Sequence, residues 1–374
     1  MKKIGPIIGR AIAITLLITI LITISILKKN PDISEAFMMH FSKHWLAVAS
    51  KISGVISISL TEVFYVLVAI GIIVLIVFFI IDLKKHKVVK AICKPFDISI
   101  IVLAIIASYA LSCEMAYGRR EMPLPYYEGD VAREEYVDIY NYFANDLNDC
   151  IAHLSFTEEG DVSNTQSIGE LGKTVKEAYK IVTDPYFYPT CGSVKPMASS
   201  LIYRELQLTG ITFSPFGEAN INMLATNNET PVTIAHEIAH TKGVMREDEA
   251  NKLAFYVCLN SEDYFLRYSA YACYFYQLES MASASYLTEE EMSHLVEVEP
   301  IFYKSRYYMY LFWKKHDLLA KVGDWFNNLY IKSSGVSEGT ESYQGGTEYE
   351  YDPTTHKIIP SYYQKLFFDK YYAS

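Results

Sequence analysis

The chain has 374 residues, 51% of them hydrophobic, with a formal net charge of −10 and a positive mean hydropathy, a balance that excludes an ordinary soluble enzyme. An acidic chain with no basic stripe and no phosphate-cradling glycine loop also excludes nucleic acid as a partner. Its six cysteines include no CxxC spacing, which argues against a Cys-based zinc site.

The hydrophobic excess is concentrated in three N-terminal runs, predicted as transmembrane helices over about residues 11–27, 60–81 and 96–113. Lengths near twenty residues are what the hydrocarbon core of a bilayer demands of a helix. The first run follows Lys2, Lys3 and Arg10, as a signal peptide would. No small-x-small cleavage site comes after it, so it reads as a retained anchor. The third is the shortest, with Asp97 at its edge and Lys94 placed to snorkel. Lys84, Lys85, Lys87, Lys90 and Lys94 fall between the second and third runs, and the positive-inside rule puts that loop in the cytoplasm. Lys28, Lys29, Arg119 and Arg120 count against this orientation and are outnumbered. The expectation is a multi-pass protein of the cytoplasmic (plasma) membrane, with residues 1–114 as its membrane domain and residues 115–374 outside.

Beyond residue 115, three-four apolar spacing predicts an amphipathic helix over residues 130–154 and a shorter one over residues 171–182. Residues 211–223 are β-branched and aromatic but broken by Pro215 and Gly217, which predicts an edge strand with a kink. Such a strand can accept an extended peptide by β-augmentation, making Glu218 and Asn220 candidates to line a substrate; an ordinary edge strand is the alternative.

Immediately after comes His236-Glu237-Ile238-Ala239-His240. Positions i and i+4 share one helix face, so both imidazoles can reach one Zn²⁺, and Glu237 can stand beside the activated water as general base. Thr230 and Pro231 read as a cap and first turn, Ile234 and Ile238 as a buried face, and Gly243 as a left-handed stop. A second helix then begins near Glu247. A catalytic zinc usually takes three protein ligands. Glu247 is the first choice for the third and Glu249 the fallback, with Asn251 one turn on as a partner that could hold a ligand in place. Acidic residues in a first turn also complement the helix dipole without any metal.

Residues 261–281 and 301–332 are aromatic-rich helical patterns, with Thr288 and Glu291 forming a capping box between them. The 31 tyrosines fit a half-buried helical domain near a membrane interface. Residues 335–355, rich in Gly, Ser, Thr and Glu, read as a mobile loop, and a lid over the cleft is the sharper alternative. Tyr343 or His356 from this region could stabilise an oxyanion. A Cys150–Cys191 bridge is open to an oxidising compartment, whereas Cys258 and Cys273 read as core residues.

Three stretches together carry a resemblance: Ser214-Pro215-Phe216-Gly217-Glu218-Ala219-Asn220, His236 to His240 with Gly243, and Glu247-Asp248-Glu249-Ala250-Asn251. The chain resembles a bacterial membrane family known as a domain of unknown function, with N-terminal spans followed by a zincin-like domain. More distantly, Glu247-x-x-Ala250-Asn251 is similar to the Glu-x-x-Ala-Asp helix of gluzincin peptidases, whose first Glu is the third zinc ligand. The resemblance therefore implies that role for Glu247. Asn251 stands where those peptidases often carry Asp, and the short gap from His240 keeps Glu249 as the alternative. The fold class implied is a mainly α membrane protein, with three transmembrane helices plus an α+β zincin-like domain containing a small sheet.

The function expected is a membrane-anchored zinc metallopeptidase with His236, His240 and Glu247 as metal ligands and Glu237 as general base. Its partners would be a peptide or protein substrate, in the membrane or cell envelope, and the lipid bilayer itself. The alternative is a non-catalytic binding or sensory membrane protein with a zincin-like ectodomain.

Overall fold

Three helices account for most of the first 118 residues in the computed structural model, which describes residues 5–282, 286–352, 354 and 357–374. They run over Gly5–Leu27, Leu60–Lys84 and Val88–Cys113, and all three are long and apolar enough to cross a membrane. The third is longer than the sequence pattern implied. It starts at Val88, carries Pro95 inside, and so gains the length that residues 96–113 alone would lack. The first and second helices both pack against the third. Arg10 Nε reaches Asp97 Oδ1 at 2.7 Å, and Lys28 pairs with Glu114 at the other end of the same helices. Between the first two spans lie shorter helices, Pro31–Phe37 and Lys43–Gly54, the former capped by the Asn30 side chain.

The chain divides into two compact units, and one short stretch joins the first out of chain order. The first runs to Glu121 and also takes in Thr212–Glu218; the second comprises Met122–Ile211 and Ala219–Ser374. The reason lies in the stretch predicted as one kinked strand, which is a hairpin. Strand β2 (Gly210–Phe213) and strand β3 (Glu218–Ile221) are joined by Ser214–Gly217. Backbone bonds of 3.0 Å from Phe216 to Phe213 and from Gly217 to Ser214 close the turn, and Gly217 sits at φ 60°. Pro215 and Gly217 thus reverse the chain instead of kinking it. Strand β1 (Ser193–Pro196) completes a sheet of order β1-β3-β2, and β4 (Glu350–Asp352) pairs antiparallel with β5 (Lys357–Ile359).

The hairpin tip is apolar and pairs with like residues. Phe213 and Phe216 pack on Phe64 at centroid distances of 6.0 and 5.4 Å, at the start of the second membrane-length helix. Glu218, at the near end of β3, caps that same helix. Its carboxylate accepts the backbone N–H of Leu60 (3.2 Å), the N–H of Thr61 (3.1 Å) and the Thr61 hydroxyl (2.9 Å). Unpaired N–H groups at a helix start favour such an anion.

The second unit is helical around an aromatic core. Arg133–Ala152 presents Tyr136, Tyr140, Phe143 and Leu147 inward at the predicted spacing. Phe143 and Phe255 each meet the ring of Phe367, from the C-terminal helix Tyr362–Ala373, at 4.8 and 4.9 Å. Among the tyrosines, Tyr303, Tyr307 and Tyr310 are exposed, whereas Tyr136, Tyr179, Tyr188, Tyr268, Tyr271 and Tyr363 are fully buried. Several donate their hydroxyls inward, as Tyr271 does to Asp146 at 2.5 Å, which removes the cost of burying a phenol. The Thr288–Glu291 capping box is present. Residues 301–332 form two helices, Pro300–Lys315 and Ala320–Ser333, rather than one. All six cysteines are free, so Cys150 and Cys191 are not bridged.

Candidate metal centre

The helix Thr230–Thr241 carries the two histidines, and its ends explain their placement. It begins one residue earlier than a Thr230 cap would give, with Glu229 at the cap position and Pro231 in the first turn. It stops in a left-handed turn. Gly243 has φ 88°, its N–H donates to His240, and the N–H of Val244 donates back to Ala239. This double bond pattern is the Schellman motif, which only a residue tolerant of positive φ completes cheaply. Its consequence is local and chemical. The Val244 carbonyl is delivered to His240 Nδ1 at 2.8 Å. A carbonyl only accepts, so Nδ1 carries the proton and Nε2 points elsewhere.

The same five-residue connection folds the next helix, Glu247–Leu259, back beside the first. Glu247 opens it and Asn251 follows one turn later on the same face. Asn251 Nδ2 donates to the carbonyl of Tyr343 at 3.2 Å, which fixes its amide oxygen toward His236 Nδ1 at 2.8 Å. His236, like His240, therefore turns Nε2 to the centre.

What converges there is a triangle. His236 Nε2 lies 3.1 Å from His240 Nε2 and 3.1 Å from Glu247 Oε2, and His240 Nε2 lies 3.5 Å from the same oxygen. Side-chain exposures are only 13% for His236, 8% for His240 and 7% for Glu247. Among the described residues this is the one group of His, Cys, Asp and Glu side chains that could hold a metal ion. Burial alone would raise the Glu247 carboxyl, but His240 and His236 beside it hold it well below the usual carboxylate range. Burial likewise disfavours a charged His240, yet Glu247, with Glu237 behind it, pushes that imidazole up to about 9. Two lone pairs and a carboxylate aimed at one point repel one another unless a cation or a proton sits among them.

Glu237 is 5% exposed, on the same helix and close enough to act electrostatically on His240. The base of the hairpin comes down on it. A β-carbon at Gly210 would stand 2.7 Å from both Cγ and Oε1 of Glu237, so a larger residue there would have to push the Glu237 side chain aside. Gly210 was not singled out in the sequence; a glycine opening a strand is the signal that could have found it.

Glu249, the fallback ligand, faces away. Its Oε1 lies 3.3 Å from Arg246 and 3.4 Å from the N–H of Met122, and it is not in the cluster. Two residues along a helix turn a side chain by roughly 200°, so Glu247 and Glu249 cannot share a face. Glu218 and Asn220 are the two residues expected to line a substrate strand. Both lie in β3, the central strand, with all four of its residues buried and a neighbour on each side. Glu218 caps a helix instead, and Asn220 Nδ2 donates to Ile211 across the hairpin at 3.3 Å. The edge next to Glu237 belongs to β2.

Tyr343 sits in a short 3-10 helix, Gly339–Gln344, inside the stretch expected to be a loop. Its ring stacks on His236 at 6.4 Å, and its hydroxyl accepts from Asn327 Nδ2 at 3.1 Å. His356 lies outside the described residues. Val244 and Asn327 were not legible in advance, because one acts through a backbone carbonyl and the other across a distant helix.

The fold and the site define a mostly helical chain with three membrane-length helices and a buried His-His-Glu cluster able to hold a metal ion. Residues 37–349 match the family described as Protein of unknown function (DUF3810), and the chain belongs to that family. No curated protein and no solved structure matches it.

Proposed function

We propose that this chain is a membrane-anchored zinc metallopeptidase. The observation that carries the reading is the triangle of His236 Nε2, His240 Nε2 and Glu247 Oε2, with sides of 3.1, 3.1 and 3.5 Å. Tetrahedral zinc with bonds of about 2.0–2.1 Å needs ligand atoms about 3.3–3.4 Å apart, so both donor set and spacing fit. The remaining nitrogen of each histidine is already engaged, as ligating imidazoles require, by Asn251 and by the Val244 carbonyl.

Zn²⁺ bound there supplies Lewis acidity toward a water and a peptide carbonyl. Glu237 then takes the proton of the attacking water and returns it to the leaving amine. The close approach of Gly210 restricts the Glu237 side chain and sets an edge strand beside it, a position from which β2 can hold an extended peptide. The three apolar helices anchor the enzyme. The lysines clustered between the second and third support a cytoplasmic loop there, with the metal-bearing region on the outer side of the cytoplasmic membrane.

The test uses the full-length chain in detergent or nanodiscs. Wild type should retain about one zinc per chain, His236→Ala should lose it, and Glu237→Gln should keep it while losing cleavage of a peptide library. Absence of metal from wild type would sink the zinc reading. Metal without any cleavage would replace the peptidase by a binding or sensory protein on the same scaffold.

A further inference from the structure

The helix Ala320–Ser333 carries an apolar stripe that the second unit does not cover. Val322, Trp325, Phe326 and Leu329 are 45%, 58%, 59% and 54% exposed, and they recur at i, i+3, i+4 and i+7. That spacing is one helix face. Leu318, just ahead of the helix, is 81% exposed.

The orientation of the helix is fixed from its other side. Gly323 and Ile331 are buried, and a β-carbon on Gly323 would lie 2.4 Å from the Leu206 carbonyl. Leu319 N–H donates to the Glu205 carbonyl at 3.0 Å, and Asn327 donates to the Tyr343 hydroxyl. The aromatic stripe thus points outward because the opposite face is held by close packing and hydrogen bonds.

Charge selects the occupant. From Lys314 to Lys332 there are four lysines against two aspartates, a local +2 in a chain of −10. On the helical projection Lys321 and Lys332 fall together at the Trp325 edge of the stripe. An outward Trp-Phe-Leu face flanked by lysine is the composition of a helix lying in a membrane interface, with indole at headgroup level and ammonium groups on anionic lipid. A second copy docked antiparallel on this face would set the same lysines against each other, which costs energy instead of gaining it. The three membrane-length helices keep the chain at a bilayer, so the local concentration of lipid is high without any further tether.

We infer that the Val322–Leu329 face of this helix docks on the anionic surface of the bilayer that anchors the chain. The inference stands independently of the zinc reading, since no part of it uses the metal. Through Asn327 and Tyr343 the docked helix is two side chains from His236, which places lipid contact in reach of the metal centre.

The experiment is lipid quenching of Trp325 in the full-length chain reconstituted in nanodiscs. Its signal is isolated as the difference between wild type and Trp325→Phe, because Trp45 and Trp313 also emit. With phosphatidylglycerol present, the Trp325 component should be blue-shifted and should lose most of its intensity to lipids brominated near the headgroup end of the chains. Lys321→Glu with Lys332→Glu, or replacement of phosphatidylglycerol by phosphatidylcholine, should relieve that quenching. A component quenched by aqueous acrylamide but untouched by brominated lipid would overturn the inference. So would one shielded from both, which would mean that a protein covers the face.

Discussion

His236 Nδ1 donates to Asn251 Oδ1 at 2.8 Å, and that one bond decides which ring nitrogen His236 turns toward His240 and Glu247. Asn251 is itself aimed by donating to the Tyr343 carbonyl at 3.2 Å, so the order of the site extends from the His-His-Glu cluster to the C-terminal third of the chain.

Asn251→Ala should therefore lower zinc affinity by about 10–100-fold without removing a ligand. Competition with a chromophoric chelator on the purified full-length chain measures this. Affinity equal to wild type would mean that His236 is held by packing alone.

Gly210→Ala introduces a methyl group 2.7 Å from Glu237 Cγ and Oε1. The carboxylate must move, so peptide hydrolysis should fall by on the order of 100-fold while zinc content is unchanged. Overpacking should also lower stability by about 1–3 kcal/mol. Full activity in this variant would argue that Glu237 is not the base.

Glu218→Ala removes three hydrogen bonds from the start of the second membrane-length helix. A loss of about 1–2 kcal/mol is expected, seen as a lower thermal midpoint of the solubilised chain, with metal retained. Loss of peptide binding without loss of stability would instead return Glu218 to the substrate-contacting role inferred from sequence.

Glu229 gives a pH dependence remote from the His-His-Glu cluster. Burial pushes its carboxyl up to about 7, with hydrogen bonds from Thr226 and Trp313 opposing and the Asp161 carboxylate adding to the rise. A carboxyl with a raised folded pKa binds its proton more tightly folded than unfolded. Its contribution is therefore greatest below the ordinary carboxylate pKa and declines as pH rises to about 7. Since the residue is only partly buried, the decline should be up to about 2 kcal/mol. Thermal midpoints of wild type should fall from pH 5 to pH 8 more steeply than those of Glu229→Gln. Parallel curves would remove Glu229 as the cause.

The sequence by itself determined whatever depends on neighbours along the chain. Apolar length marked the three membrane-length helices. The four-residue interval paired His236 with His240, and Gly243 marked the stop after them. Periodicity, capping and left-handed turns act within one or two helical turns, so they leave a local trace. Even the choice of Glu247 over Glu249 had a local basis, though the helix start at Glu247 was needed to settle which one faces the histidines.

Tertiary structure alone decided the partners. Pro215 and Gly217 read equally well as a kink or a reversal, and only pairing of β2 with β3 made the hairpin and moved Glu218 into a central strand. Glu218 meets Thr61 across 157 residues, and Asn251 meets Tyr343 across 92. Contacts at such separations are fixed by which surfaces bury together, and no short window of sequence records that. The Val244 carbonyl is a different case: it is a backbone group, available at every residue, and only the turn around Gly243 aims it at His240.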